Sequence, residues 1–283
     1  MRSVSRRYFF RWLLGFSFLP LFPFHVRPSR ADTTILPGDG KGRSIGEFFK
    51  GEELVYEVGV WFFKRAALGK LSFSKTDEKG RYMAVLQAET LGVLGLLARY
   101  RVDTYRSQME EIDGGKRLRA LSFEEDVTIG NTVRRKIHIL DYDKRKWRVS
   151  NRRKNGSVER SEQEIPPGMV YDDFITASYN FRYGVYGEVE RGRKYTVATF
   201  PRKGSTHYEV NIAAKEEEEQ RRKSERYRDG KEFFIKLFLN PEITHSKEGL
   251  VEGWLSKELC PTTGTMKDVK LFGDVRGTLV KKS

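Results

Sequence analysis

Residues 53–63, ELVYEVGVWFF, decide the fold class. Leu54, Tyr56, Val58, Val60 and Phe62 fall on every second position. A period of two puts them on one face of a strand, whereas a helix would space its apolar residues three and four apart. The pattern continues outward. Leu71 and Phe73 follow a turn expected at Gly69, and Tyr82, Ala84, Leu86 and Ala88 alternate after a hairpin loop over Asp77–Gly80. Tyr100, Val102 and Thr104 come next, then a turn at Asp113-Gly114-Gly115. Val133, Arg135, Ile137 and Ile139 form another row. It turns over 141–144 into Trp147 and Val149, and Asn155-Gly156 turns the chain again. Tyr195 and Val197, then Tyr208, Val210 and Ile212, repeat the alternation. Asp229-Gly230 separates KEEEEQRRKSERYR (215–228) from FFIKLFL (233–239). Short alternating segments joined by Asp-Gly and Asn-Gly turns predict an antiparallel, mainly β architecture.

Three stretches depart from this rhythm. TLGVLGLLARY (90–100) is apolar with two glycines and reads as a wide turn, a short helix or an exposed lip. In DDFITASYNFRYGVY (172–186), Phe174, Ala177, Ser178 and Phe181 are spaced as one helical stripe, with Asp172 or Asp173 placed to cap and Gly184 to stop it. One short helix is therefore expected, packed on sheet between two β-rich halves that join near 165–186. The charged run 215–228 is expected to be an exposed, charge-defended strand, because alternation resumes on both sides. Glu216 to Glu219 do not make a metal site, since consecutive side chains diverge.

The N-terminus predicts where the chain works. Arg2, Arg6, Arg7 and Arg11 precede or enter an apolar run over 12–24, and no acidic residue occurs before Asp32. This is the layout of a signal peptide, with cleavage expected after Ala31 in Ser29-Arg30-Ala31. The run is too short for a spanning helix, which needs about 20 apolar residues. Ser5-Arg6-Arg7-Tyr8-Phe9-Phe10-Arg11 resembles the twin-arginine export signal, so Arg6 and Arg7 are the export residues, with ordinary Sec export as the alternative. Residues 32–46 read as a flexible lead-in to a β domain over 47–283. A periplasmic location follows, with no permanent membrane span. The net charge of +14 includes six arginines of the leader, which leaves +8 after Ala31. Such a charge suits solubility or anionic envelope partners such as lipid headgroups or cell-wall polymers. Nucleic acid is not expected. Cys260 is the single cysteine, so no intramolecular disulfide can form.

Motifs for chemistry are sparse. No zinc-binding spacing, nucleophile elbow, phosphate loop or dinucleotide fingerprint is present, and no cofactor is expected. An enzyme reading would draw on Glu258, His207, Asp173 or Cys260, at least two of which would have to share a cleft. Arg134-Arg135-Lys136 and Arg152-Arg153-Lys154 are basic triplets in neighbouring predicted strands. A functional reading makes Arg134, Arg135, Lys136, Arg152 and Arg153 a patch for phosphate or anionic lipid. The chain's 19 Phe and 13 Tyr serve first to fill a β core. An open or half-closed sheet would still leave a concave apolar face for an acyl chain, which Leu94, Leu96 and Leu97 would line or lid.

GEELVYEVGVWFFKRAALGKLSFS (51–74), DDFITASYNFR (172–182), EGWLSKELCPTTG (252–264) and GDVRGTLV (273–280) occur in an order that resembles the DUF3108 family of bacterial exported proteins. Gly51, Glu52, Leu54, Tyr56 and Gly69 fit its opening strands, and Asp173 and Arg182 its helix. Trp254, Ser256 and Pro261 fit its late element, where Glu258 replaces the usual Asp. Gly273, Val275 and Leu279 fit the last strand. The resemblance implies an exported protein built on a curved antiparallel sheet, and it brings no catalytic residue. Together these readings predict a non-enzymatic periplasmic binder of a lipid-like or amphipathic envelope component. The alternatives are an envelope enzyme on cell-wall or lipid-linked substrates, and a structural adaptor pairing with an envelope protein.

Overall fold

The computed structural model describes residues 42–153, 155–202, 205–225, 232–239, 241, 246–269 and 272–283. Arg6 and Arg7, the expected cleavage site, Lys154 of the second basic triplet and the Asp229-Gly230 turn lie outside these residues. The first meander comprises β1 (Glu53–Val60), β2 (Phe63–Lys75), β3 (Arg81–Thr90), β4 (Val102–Ile112), β5 (Arg117–Ile129), β6 (Thr132–Asp141), β7 (Lys146–Arg152) and β8 (Val158–Glu164). The second comprises β9 (Lys194–Arg202), β10 (Ser205–Ile212), β11 (Phe233–Phe238), β12 (Leu250–Leu255), β13 (Pro261–Val269) and β14 (Gly273–Lys282). Among the described residues four α-helices accompany them: α1 (Ile45–Phe49), α2 (Gly92–Leu97), α3 (Phe174–Tyr183) and α4 (Lys215–Ser224).

Antiparallel pairing of β1 with β14 fuses the meanders into one 14-stranded row running from β8 through β1 and β14 to β9. The row is curved and open, and its end strands are not paired with each other. It rolls far enough that Phe200 of β9 stacks on His138 of β6, with ring centroids 4.8 Å apart, and on Trp147 of β7 at 5.7 Å. One continuous core fills the roll, with α3 inside it and Tyr105, Phe123 and Phe174 packed edge to face.

The alternation places strands correctly more often than it places faces. Tyr82, Ala84, Leu86 and Ala88 are all buried. On β6 the inward residues are His138 and Leu140, while Val133 and Ile139 are exposed. The row Val133, Arg135, Ile137, Ile139 therefore faces outward, because cross-strand packing on Phe123 and Trp147 fixes the register. On β4 the buried set is Asp103, Tyr105, Ser107 and Met109, not the row that starts at Tyr100. Gly69 is no turn and lies mid-strand opposite Tyr56 and Ala88. The turn comes at Trp61-Phe62 instead, so Phe62 leaves the face of Leu54 to Val60.

The run from Lys215 is a helix rather than a strand. Its first turn carries Glu216, Glu217 and Glu218 and its last Arg221, Arg222 and Lys223, which complements the helix dipole at both ends. Glu218 and Arg222 pair at 3.7 Å one turn apart. α4 lies over Phe234 and Trp254, with the Arg221 and Arg222 guanidiniums 5.0 Å from those ring centroids.

Candidate functional site

α3 is the element that shapes the interior. The sequence predicts one apolar stripe, yet every residue from Phe174 to Arg182 is buried, including Thr176, Ser178, Asn180 and Arg182. Buried polar groups need partners. Thr176, Asn180 and the two terminal nitrogens of Arg182 have them, while Arg182 Nε and the Tyr179 hydroxyl are buried without one among the described residues. Asp173 is the N-cap: its Oδ1 accepts from the amides of Ile175 (2.8 Å) and Thr176 (3.1 Å), and its Oδ2 from the hydroxyls of Ser107 (2.6 Å) and Thr176 (2.7 Å). Gly184 ends the helix in the left-handed region at φ 88°. Asn180 behaves as a strand segment, accepting from the Leu118 amide (2.8 Å) and donating to the Leu118 carbonyl (2.9 Å).

Two charged pairs complete the anchorage. Arg182 makes a bidentate pair with Glu52, its Nη1 2.6 Å from Oε2 and its Nη2 on Oε1. Burial acts to lower the Arg182 guanidinium, but the Glu52 carboxylate outweighs it and holds the group above its ordinary value. Asp172 accepts from Arg117 (3.0 Å), Asn180 (3.4 Å) and the Tyr186 hydroxyl. Burial pushes its carboxyl up to about 6, against the pull of Arg117 and Tyr186.

Between α3 and the concave face of β1–β3 and β12–β14 lies a cavity of about 140 Å³. Its lining is mainly apolar, with Leu71, Met266 and Val275 among its walls. The space exists because small residues meet there: Gly264 pairs directly with Gly277, Gly69 with Ala88, and α3 contributes Ser178. A Cβ at Gly69 would approach nothing closer than 3.8 Å, and one at Gly277 nothing closer than 3.9 Å. Backbone crowding therefore does not require glycine at either position. A second hollow, about 220 Å³, sits on the other face beside α4. Its charges pair among themselves, Arg221 with Glu252, Lys267 with Asp274, and Arg276 with Glu225 at 3.9 Å.

The expected binding residues are elsewhere. Leu94, Leu96 and Leu97 do not line the cavity. They form α2, which projects beyond the ends of β3 and β4, with Leu94 against the core and Leu96 and Leu97 exposed. The basic triplets flank the β6–β7 hairpin at the end away from its turn, where Arg135 lies directly opposite Arg152. Pleating splits them: Arg135 and Arg152 share one face, and Arg134 and Lys136 the other. Arg135 is matched by Glu124 (2.6 Å) and Asp126 (3.7 Å), Lys136 by Glu125 (3.8 Å), and Arg153 by Glu159 (2.6 Å). No Arg or Lys lines the cavity.

None of the possible catalytic groups lines either hollow, although Glu258 and Cys260 share the β12–β13 turn around the Ser256 hydroxyl. Asp173 is consumed by capping, Glu258 accepts from Ser256 on the β12–β13 turn (2.7 Å), and His207 is exposed on β10. Burial pushes the Cys260 thiol up, away from the reactive thiolate. Among the described residues no three His, Cys, Asp or Glu side chains form a metal-binding group. Sequence reasoning missed the cavity-forming residues Gly264, Gly277 and Ser178. Glycines inside otherwise regular strands were the available signal.

No family model and no curated protein sequence matches the chain. A solved structure similar to it is a β-barrel-like protein of the domain of unknown function DUF1849 from Brucella abortus, 11% identical with a TM-score of 0.38, covering 83% of this chain and 98% of that one.

Proposed function

We propose that this protein is an exported, non-enzymatic binder of a lipid-like or amphipathic component of the bacterial envelope. The apolar cavity beneath α3 carries this reading. Dry apolar cavities of roughly 150 Å³ take up benzene-sized guests. A space of about 140 Å³ therefore suits the end of an acyl chain rather than a whole lipid. Its walls offer dispersion contacts and no charge, so the polar head of such a guest would remain outside. The N-terminal features support the location: paired Arg6 and Arg7, an apolar run and a small-residue cleavage site are what a chain exported to the periplasm and working from Asp32 on would carry. No helix among the described residues is long and apolar enough to cross a membrane. The resemblance to DUF3108 proteins is retained as part of this proposal, on the order of the four quoted segments.

The adaptor reading has less support. The edge strand β8, VERSEQE, is exposed at every position and carries four charged residues in seven, which guards an edge against pairing. At the other edge, the Asp172 amide occupies the Ala198 carbonyl of β9 (3.2 Å).

Titrating the full chain with a fluorescent long-chain fatty acid tests the proposal. Saturable one-to-one binding is expected. Gly277→Leu should weaken it about tenfold or more by filling the cavity, with the circular dichroism unchanged. Absent binding, or equal binding by the variant, would overturn the reading.

A further inference from the structure

Strand polarity brings one set of connections to one rim of the sheet: β1–β2, β3–β4, β5–β6, β7–β8, β9–β10, β11–β12 and β13–β14. The opposite rim carries β2–β3, β4–β5, β6–β7, β10–β11 and β12–β13. The two rims differ in chemistry. The second has ordinary polar turns, TDEKG (76–80), DGGK (113–116) and YDKR (142–145). The first has Trp61-Phe62 as the whole β1–β2 turn and LGVLGLLARYR (91–101) as the β3–β4 connection. Phe62 is 81% exposed, Leu96 65% and Trp61 55%, with Val93 and Tyr100 similarly bare.

These residues oppose local folding preferences. A two-residue hairpin turn favours Asn or Gly, because its backbone enters the left-handed region. Here Trp61 enters it at φ 53° and Tyr100 at φ 50°. Bulky side chains are strained there, and these gain little burial in return. The Trp61 ring is held by stacking on Phe272 at 5.4 Å.

Cations border the apolar tips on the side of the first meander. Residues 58–65, 90–102, 129–140 and 150–158 contain no Asp or Glu. Lys64 and Arg99 are exposed beside the tips, and Arg152 is exposed farther along the same rim. Arg65 is matched by Glu57 (3.2 Å), Arg153 by Glu159 (2.6 Å), and Arg101 is buried against Asp103 (2.7 Å). Asp268 and Asp274 bound the basic stretch at the β13–β14 turn.

We propose that this rim docks on a phospholipid bilayer bearing anionic headgroups, with Trp61, Phe62 and Leu96 entering the interface and Lys64 and Arg99 meeting the phosphates. Tryptophan and tyrosine favour the headgroup level, leucine and phenylalanine reach below it, and basic residues follow the negative surface potential. The proposal stands on the rim alone and holds whether or not the cavity takes a guest. It also takes up the leucines of α2, which the cavity leaves unused, and Arg152 from the basic triplets.

Flotation of the full chain with vesicles of phosphatidylcholine, alone or mixed with phosphatidylglycerol, tests it. Binding to the mixed vesicles should be about tenfold tighter. Phe62→Ser/Leu96→Ser should weaken that binding about tenfold, and Lys64→Glu/Arg99→Glu should abolish the preference for anionic lipid. All variants carry the same N-terminal segment, so the differences report the rim. Brominated acyl chains should quench a fluorescence component that Trp61→Phe removes. Trp147 and Trp254 are buried, and Trp12 is common to both proteins. Equal binding by the Phe62/Leu96 variant, equal binding to both vesicle types, or quenching unaffected by Trp61→Phe would each overturn the proposal.

Discussion

Glu52 and Arg182 meet 130 positions apart in sequence and are both nearly sealed from water. Breaking such a pair by removing one partner leaves an uncompensated buried charge. Glu52→Gln is therefore expected to cost about 3–5 kcal/mol in denaturant unfolding, whereas Glu52→Leu/Arg182→Met should recover much of the loss. Asp172 carries a different signature. Its carboxyl is raised from 3.8 to about 6 in the folded chain, so the folded state binds a proton that the unfolded state has released between those values. Stability from this group thus falls as pH rises through that window. Relative to Asp172→Asn, the wild type should lose about 3 kcal/mol between about pH 3.5 and 6.5, and a flat difference would contradict the assignment. Neither role was legible in the sequence beyond Glu52 and Arg182 standing in quoted segments. A partner more than a hundred residues away leaves no local pattern.

Elements were legible where a local cause sufficed. The α3 caps followed from the Asp172-Asp173 pair and Gly184, and the structure selects Asp173 as the N-cap and ends the helix at Gly184. Asp173→Ala should cost about 2–3 kcal/mol, because it removes the cap and strands the Ser107 and Thr176 hydroxyls in the interior. Thermal or urea unfolding reads the loss, and a cost within experimental error would show the cap to be dispensable. α4 was misread because alternation on its flanks outweighed the ordering of its charges, acids first and bases last. Its docking on Phe234 and Trp254 depends on which face β11 and β12 turn outward. Face assignments failed on β4 and β6 for a related reason: both faces carry apolar residues there, and only cross-strand neighbours choose between them.

At the scale of the molecule, a rolled sheet with one helix inside explains both functional proposals. Closing the row between β8 and β9 would demand a regular barrel; leaving it open lets α3 enter and hold the sheet away from the glycines of β2, β13 and β14. The mainly β class, the curved open sheet and the helix α3 between two β-rich halves were legible from periodicity and resemblance, whereas α1 and α4 were not. The cavity was not, because it arises where Gly264, Gly277, Gly69 and Ala88 come together across strands distant in sequence. The central claim is that this space holds part of a lipid-like guest. Native mass spectrometry of the protein recovered gently from the periplasm, before and after organic extraction, tests it most directly. The account predicts a stoichiometric lipid-like adduct on a chain starting at Asp32, absent from Gly277→Leu. A wild-type protein of bare chain mass, or an adduct equally present on Gly277→Leu, would contradict it.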